Sequence, residues 1–320
     1  MGHILQSAAW GAFQENQGNS TFSVEGEGWS VLAALDTTRS HTPRMYAAYG
    51  PSFQTDEALA EALSALEDAA KKRDAVYVRV EPVGPSEEAE AQTAEKLTAL
   101  GYHKVDHIQP EDTWLVDVSR PWDDVFMDMD PNHRRRYRGM EKRSIEVTSS
   151  TNPDDIRYLS DLMAQVEDRD SVELRDYDYL HAQADVLMNA GAATLYMATA
   201  PVIDGDGDER KVVSCDFVFH DDDTVYMMHN GTDGAYYKTG ANVAMQVQIV
   251  RDACEQGRKW VDFCGIAPEG SGKDHPWAGF SRFKQGFGGQ YRHYLGTWEK
   301  PIKKMHYALY ETARKIASSD

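Results

Sequence analysis

The stretch Gly240–Trp298, GANVAMQVQIVRDACEQGRKWVDFCGIAPEGSGKDHPWAGFSRFKQGFGGQYRHYLGTW, decides how the chain is read. It predicts a helix over 242–256, stopped by Gly257, because a glycine just past a periodic run supplies a left-handed cap. A strand over Lys259–Cys264 follows, then a glycine-rich loop, a short helix carrying Phe283 and Lys284, and a strand over 290–296. Lys284 stands just before Gly286, Gly288 and Gly289, where the backbone can turn tightly and approach a ligand. A single positive charge is thereby placed where it can meet a reacting group.

Outward from this stretch, the bulk properties bound the answer. A chain of 320 residues with 41% apolar content buries a large core, and its length favours two domains of roughly 100–200 residues each. A formal charge of −19 argues against a general polyanion binder, so any nucleic-acid contact must be local. Cys215, Cys254 and Cys264 form no C-x-x-C pair and leave an odd one over, as expected of reduced thiols in a cytoplasmic protein. No apolar run approaches the ~18–20 residues of a membrane span, and no signal peptide is read ahead of Gln6. Gln6 also occupies the place where a myristoylation motif needs Ser or Thr.

In chain order, Ser7 is a fair N-cap for a short helix holding Trp10 and Phe13, and Trp29–Leu35 and Arg44–Tyr49 read as strands. Thr55–Arg73 predicts an amphipathic helix with Leu59, Leu63 and Leu66 on one face, acids in the first turn and Lys71, Lys72 and Arg73 in the last. Ala75–Glu81 alternates Val76, Val78 and Val80 with Tyr77, Arg79 and Glu81, a strand with unlike faces. A helix over Ser86–Leu100, ended by Gly101, and a strand over Thr113–Val118 complete one α/β unit. Helices near 122–129, 132–143, 153–167 and 176–190, and strands near 145–148, 193–199, 211–219 and 224–229, precede the opening stretch in a second unit.

The motifs Gln6-Ser7-x-x-Trp10-Gly11, Gly257-x-x-x-x-Asp262-Phe263-x-Gly265-Ile266 and Phe283-Lys284-x-x-Phe287-Gly288-Gly289 resemble the Fem-type (FemABX) peptidyltransferases. Gly101-Tyr102, Ile108-Gln109-Pro110, the basic helix 133–143, Arg169 and Arg175-x-x-x-Tyr179 extend the likeness over nearly the whole chain. The resemblance implies an α/β (α+β) fold of two tandem acetyltransferase-like (GNAT) domains, here 1–120 plus 297–320 and 121–296, with the final helix 301–317 packing back on the first. No long charged heptad stretch is present, so the short form without a coiled-coil arm is expected. The implied activity is transfer of an amino acid from aminoacyl-tRNA to an amine of a UDP-linked or lipid-linked peptidoglycan precursor. No cofactor is expected, aminoacyl-tRNA being a co-substrate, and a monomer in the cytoplasm or at the inner membrane face follows.

An aminoacyl ester is already activated, so the enzyme must supply alignment and positive charge at the oxyanion. Lys284 is assigned that charge and can also protonate the departing ribose oxygen; the bland reading is that it snorkels over Phe283 and Phe287 into water. Arg175 and Tyr179 lie four residues apart on one helix face, and in the family the matching pair contacts the phosphorylated precursor. Lys284 is expected to share a cleft with this pair. His229 stands where the family has a tyrosine, and no lysine follows Trp10 closely where the family can hold a nucleotide diphosphate. A general base is sought in Asp106, with substrate phosphate or a ribose hydroxyl as alternatives.

Arg134, Arg135, Arg136, Arg138, Lys142 and Arg143 crowd one basic helix against a single acid, Glu141. Either neighbouring acids compensate them, or the first four contact the phosphates of tRNA. Asp204–Asp208 lacks the glycine and closing glutamate of a calcium loop, and His220–Asp223 lacks convergent partners, so no metal is expected. Gly279-Phe-Ser281-Arg-Phe is not a hydrolase elbow. Besides the cell-wall transferase, three readings stay open: aminoacyl transfer to a small peptide natural product, acyl-CoA-dependent N-acyl transfer, and a non-catalytic binding module. For the acyl-CoA reading, Tyr237–Asn242 departs from the pyrophosphate-binding turn at its first and last places.

Overall fold

The Ser7 hydroxyl accepts from Trp10 N at 3.2 Å and so starts helix α1 (Ala8–Asn16), as its place in the sequence predicts. The protein, a computed structural model, is described over residues 2–37, 42–170, 174–203 and 209–317; the loop 204–208 and the side chain of Arg169 lie outside the described residues. Strands β1 (Ser20–Gly26) and β2 (Trp29–Asp36) form a hairpin, followed by β3 (Arg44–Ala47) and β4 (Ser52–Phe53). The hairpin partner β1 has no counterpart in the sequence reading. Helix α2 (Asp56–Lys72) is capped by Thr55, carries Asp56 and Glu57 in its first turn, and buries Leu59, Leu63 and Leu66. After β5 (Tyr77–Val80) come α3 (Glu87–Ala99), closed by Gly101 at φ +87°, and β6 (His103–Lys104).

The chain then enters a second unit, Asp112–Arg292, through β7 (Asp112–Asp117). Helices α4 (Trp122–Asp128) and α5 (Pro131–Arg138) precede β8 (Glu146–Ser150). Helices α6 (Ile156–Asp170) and α7 (Tyr177–Asn189) precede β9 (Ala193–Pro201), β10 (Arg210–His220) and β11 (Thr224–Thr232). Helix α8 (Ala241–Glu255), β12 (Trp260–Gly265), α9 (Ala278–Gln285) and β13 (Gln290–His293) finish it. Among the described residues the strand order is β13-β7-β12-β11-β10-β9-β8, with β11 and β12 parallel and the pairs on either side of them antiparallel where register is defined. Helix α8 buries Val243, Ala244, Val247 and Val250 against Val218, Val225, Met227 and Phe263 in one core.

The chain ends return to the first unit, Met1–Glu111 with His293–Asp320, as β14 (Trp298–Pro301) and α10 (Lys304–Ala317). Strand β14 pairs antiparallel with both β5 and β6, giving the order β1-β2-β3-β5-β14-β6 with β4 on β2. Two expectations are corrected here. The boundary falls at 111/112 and 292/293 rather than 120/121 and 296/297, because β7 pairs with β12 of the second sheet. Strand β5 has no unlike faces: all four residues are buried. Tyr77 stacks on Tyr310 of α10 at 5.1 Å, and Arg79 Nε donates to the buried Glu299 of β14 at 2.7 Å.

Candidate active site

The site grows from an irregularity in β12. Its register with β7 shifts between Asp262 and Gly265, and Cys264 takes φ +56°, a left-handed conformation that a non-glycine residue rarely adopts. The carbonyls freed there receive the ammonium of Lys284, on α9, which donates to Gly265 O at 2.7 Å and Cys264 O at 3.4 Å. Helix α9 is held in place by Ser281, whose hydroxyl donates to Trp277 O and accepts from Ala267 N, each at 2.8 Å. Beyond α9, Gly289 at φ +97° passes so close to β7 that a Cβ would lie 2.2 Å from Leu115 O. Lys284 does not snorkel into water: burial lowers its pKa, opposed by the neighbouring Cys264, Asp262 and Asp216, each of which favours the ammonium when ionised.

Lys284 and Phe283 share the wall of a cleft of about 450 Å³ with Met227, Asn230, Gln246 and Phe263, beside the exposed Phe280. Beneath that wall lies Asp216 of β10, fully buried, with its pKa pushed up to about 7 by loss of solvent against the opposing effects of Gln246 and Lys284. Gln246 Nε2 donates to Asp216 Oδ2 at 3.0 Å. Neither Asp216 nor Gln246 is singled out by the sequence reading. The available signal was an aspartate between apolar neighbours in Val212-Val213-Ser214-Cys215-Asp216-Phe217-Val218, where a buried strand position is costly for a carboxylate.

Arg175 and Tyr179 come together: the guanidinium carbon sits 4.6 Å from the tyrosine ring centroid. His229 joins them, its pKa lowered to about 4 by burial and then by the charge of Arg175, with Nε2 2.9 Å from Gln183 Oε1. This group does not wall the Lys284 cleft. The reason is a bulge: Phe217 pairs with His229 but Val218 pairs with Met227, so Met228 is skipped and the alternation of β11 is reset. His229 therefore faces Phe217 and α7, while Asn230, paired with Asp216, faces α8 and the cleft. Asp106, the base candidate, belongs to the first unit, is fully exposed and lies 3.8 Å from Arg314; it is not among the residues of the cleft.

The basic helix is shorter than read, since Gly139 ends α5 and a separate turn holds Glu141–Arg143. Arg134, Arg135, Arg136 and Arg138 make no ion pair among the described residues. Arg138 stacks 5.0 Å over Phe126, Arg135 donates to Asn132, and Arg136 donates to the carbonyls of Tyr237 and Lys238 at 3.3 and 3.4 Å. Arg134, Arg135 and Arg138 wall a concavity of about 490 Å³ with Met127 and Pro131. No group of three or more potential metal ligands is found among the described residues.

The family model described as the FemAB family matches residues 1–204 and 196–315. The chain belongs to the FemAB family. Among curated relatives, FemAB-type similarity runs to "Aminoacyltransferase FemA" of Staphylococcus epidermidis, 30% identical over 110 residues, which are 34% of this chain and 26% of that protein. "Lipid II:glycine glycyltransferase" of Staphylococcus haemolyticus is 25% identical over 170 residues, 50% of this chain and 40% of the relative. The alignments thus span well under half the length of these curated relatives. Among solved structures, "Crystal structure of FemX" superposes with a TM-score of 0.82 at 18% identity, covering 96% of this chain and 94% of that one. A tandem GNAT protein from the clavulanic acid biosynthesis pathway gives 0.52 at 13% identity, covering 88% and 83%. The FemAB chain therefore has the tandem GNAT-like fold, and no coiled-coil arm interrupts its described elements. No described helix is long and apolar enough to cross a membrane.

Proposed function

We propose that this FemAB chain transfers an amino acid from aminoacyl-tRNA to an amine of a peptidoglycan precursor stem peptide. The observation that carries the reading is Lys284: a half-buried ammonium, fixed by two bulge carbonyls, at the wall of a largely apolar cleft. Of its three N–H donors two are occupied, which leaves the third for a ligand. The acceptor nitrogen attacks the ester carbonyl, forming the C–N bond and a tetrahedral oxyanion opposite the Lys284 ammonium. Collapse breaks the C–O bond to ribose, and the departing oxygen takes a proton from Lys284, whose lowered pKa makes it a better acid than an ordinary lysine. The proton lost by the attacking amine passes to substrate phosphate or a ribose hydroxyl, since Asp106 lies exposed in the first unit.

The Arg175–Tyr179 pair, with neutral His229 behind it, suits a phosphorylated acceptor approaching β11 from its other face. The unpaired arginines of α5 supply a phosphate-binding surface for the tRNA in a chain whose overall charge repels nucleic acid. Kinship with a lipid II:glycine glycyltransferase supports a lipid-linked precursor as the first acceptor to try. The test is transfer of labelled amino acid from charged tRNA to purified lipid-linked and UDP-linked precursors. Lys284→Met should lower the rate by about 10²–10³ while leaving acceptor binding intact; an undiminished rate would remove the assigned role.

A further inference from the structure

Two acceptor oxygens at the cleft lack any hydrogen-bond donor among the described residues: Asp216 Oδ1 and Gln246 Oε1. Both residues are more than nine-tenths buried, and such groups carry a penalty of about 1–3 kcal/mol when left unsatisfied. With Asp216 ionised, a carboxylate that only accepts, Gln246 turns its Nε2 to it and its own Oε1 is left without a donor, in a residue that walls the cleft. The site therefore offers acceptors and asks for donors.

Its charge points the same way. Asp216 and Asp262 both lie within electrostatic reach of Lys284. Asp262 is already served by the Thr113 hydroxyl and by Cys264 N at 2.7 Å. Two carboxylates face one ammonium, so with both ionised one negative charge is left uncompensated, in a place where burial already raises the pKa of Asp216.

We propose that the cleft seats a primary ammonium group, the α-amino group of the donor's aminoacyl moiety, on Gln246 Oε1 with the Asp216 carboxylate behind it. This rests on the donor reading above and deepens it: the site selects aminoacyl over plain acyl donors by a charge-assisted hydrogen bond to the nitrogen that acyl groups lack. Asn230, the cross-strand partner of Asp216, stands at the same wall and adds a second side-chain amide to a largely apolar chamber.

Two probes that differ only in the amine decide it: 3′-glycylamido-3′-deoxyadenosine and 3′-acetamido-3′-deoxyadenosine, titrated into the full chain by calorimetry. The native protein should favour the glycyl probe by about tenfold or more. Asp216→Asn and Gln246→Met should each bring that ratio towards one while the acetamido probe binds as before; a merely structural role would weaken both probes alike. Gln246→Met, at the cleft wall, decides the matter if Asp216→Asn misfolds. Equal binding of the two probes to the native protein, or variants that keep the preference, would overturn the amine site and leave the donor cleft standing. Binding of neither probe would overturn both.

Discussion

His229 shows how one side chain reports its surroundings. Buried beside the Arg175 guanidinium, it holds its pKa at about 4 against 6.5 for a free imidazole. Between those values the unfolded chain binds a proton that the folded chain refuses, so His229 makes folding less favourable as pH falls from 6.5 towards 4 and has no effect above. The slope from this one group cannot exceed about 1.4 kcal/mol per pH unit. Denaturant melts of His229→Gln should show a shallower loss of stability in that window than the parent, and the His229 ring should keep neutral NMR shifts at about pH 5. A tyrosine-like role as a hydroxyl donor is closed to it: with its single N–H given to Gln183 Oε1, the neutral ring has only the Nδ1 lone pair left to offer. Sequence reading singled out Lys284 and Phe283 beside a glycine-rich turn and Arg175 with Tyr179 at helical spacing, and His229 through the family resemblance alone. It missed Asp216, because a lone acid in an apolar strand acquires meaning only when Gln246, 30 residues away, is seen to meet it.

At the level of elements, α9 and its exit turn position the cation, and glycine chemistry sets that turn. Gly289 and Gly270 both have positive φ, +97° and +78°, yet an added Cβ meets Leu115 O at 2.2 Å in the first case and nothing within 4 Å in the second. Gly270→Ala should cost only the left-handed backbone penalty, about 1–2 kcal/mol. Gly289→Ala adds a backbone clash that only movement of β7 or α9 relieves, so it should lower the melting temperature further and reduce transfer as well. Amphipathic elements with local signals, such as α2 and α8, were legible from periodicity and caps. The two bulges in β11 and β12 were not. They follow from pairing with neighbouring strands, and they are what separates the His229 group from the Lys284 cleft and turns two carbonyls toward the ammonium.

For the molecule as a whole, a far-reaching contact in the first unit is Arg79 with Glu299, 220 residues apart and both buried. Glu299→Gln leaves the guanidinium without its counter-charge and should destabilise that unit by about 3–5 kcal/mol, seen in thermal melts as an early transition, while the second unit melts as before. This pairing also explains why the faces of β5 were misread: Arg79 looks solvent-bound until a strand from the far end of the chain covers it. Family-level likeness was visible in dispersed motifs, whereas the exact unit boundary depended on which sheet β7 chose.

The first unit is assembled from two segments, with the second unit spliced between them. On a ribosome, which releases the chain from its N-terminus, residues 112–292 emerge complete while the earlier sheet still waits for β14. The module bearing Lys284 is thus free to finish folding first, and the strands before it must stay unaggregated until β14 has emerged. Chaperone dependence should accordingly track the length of that wait.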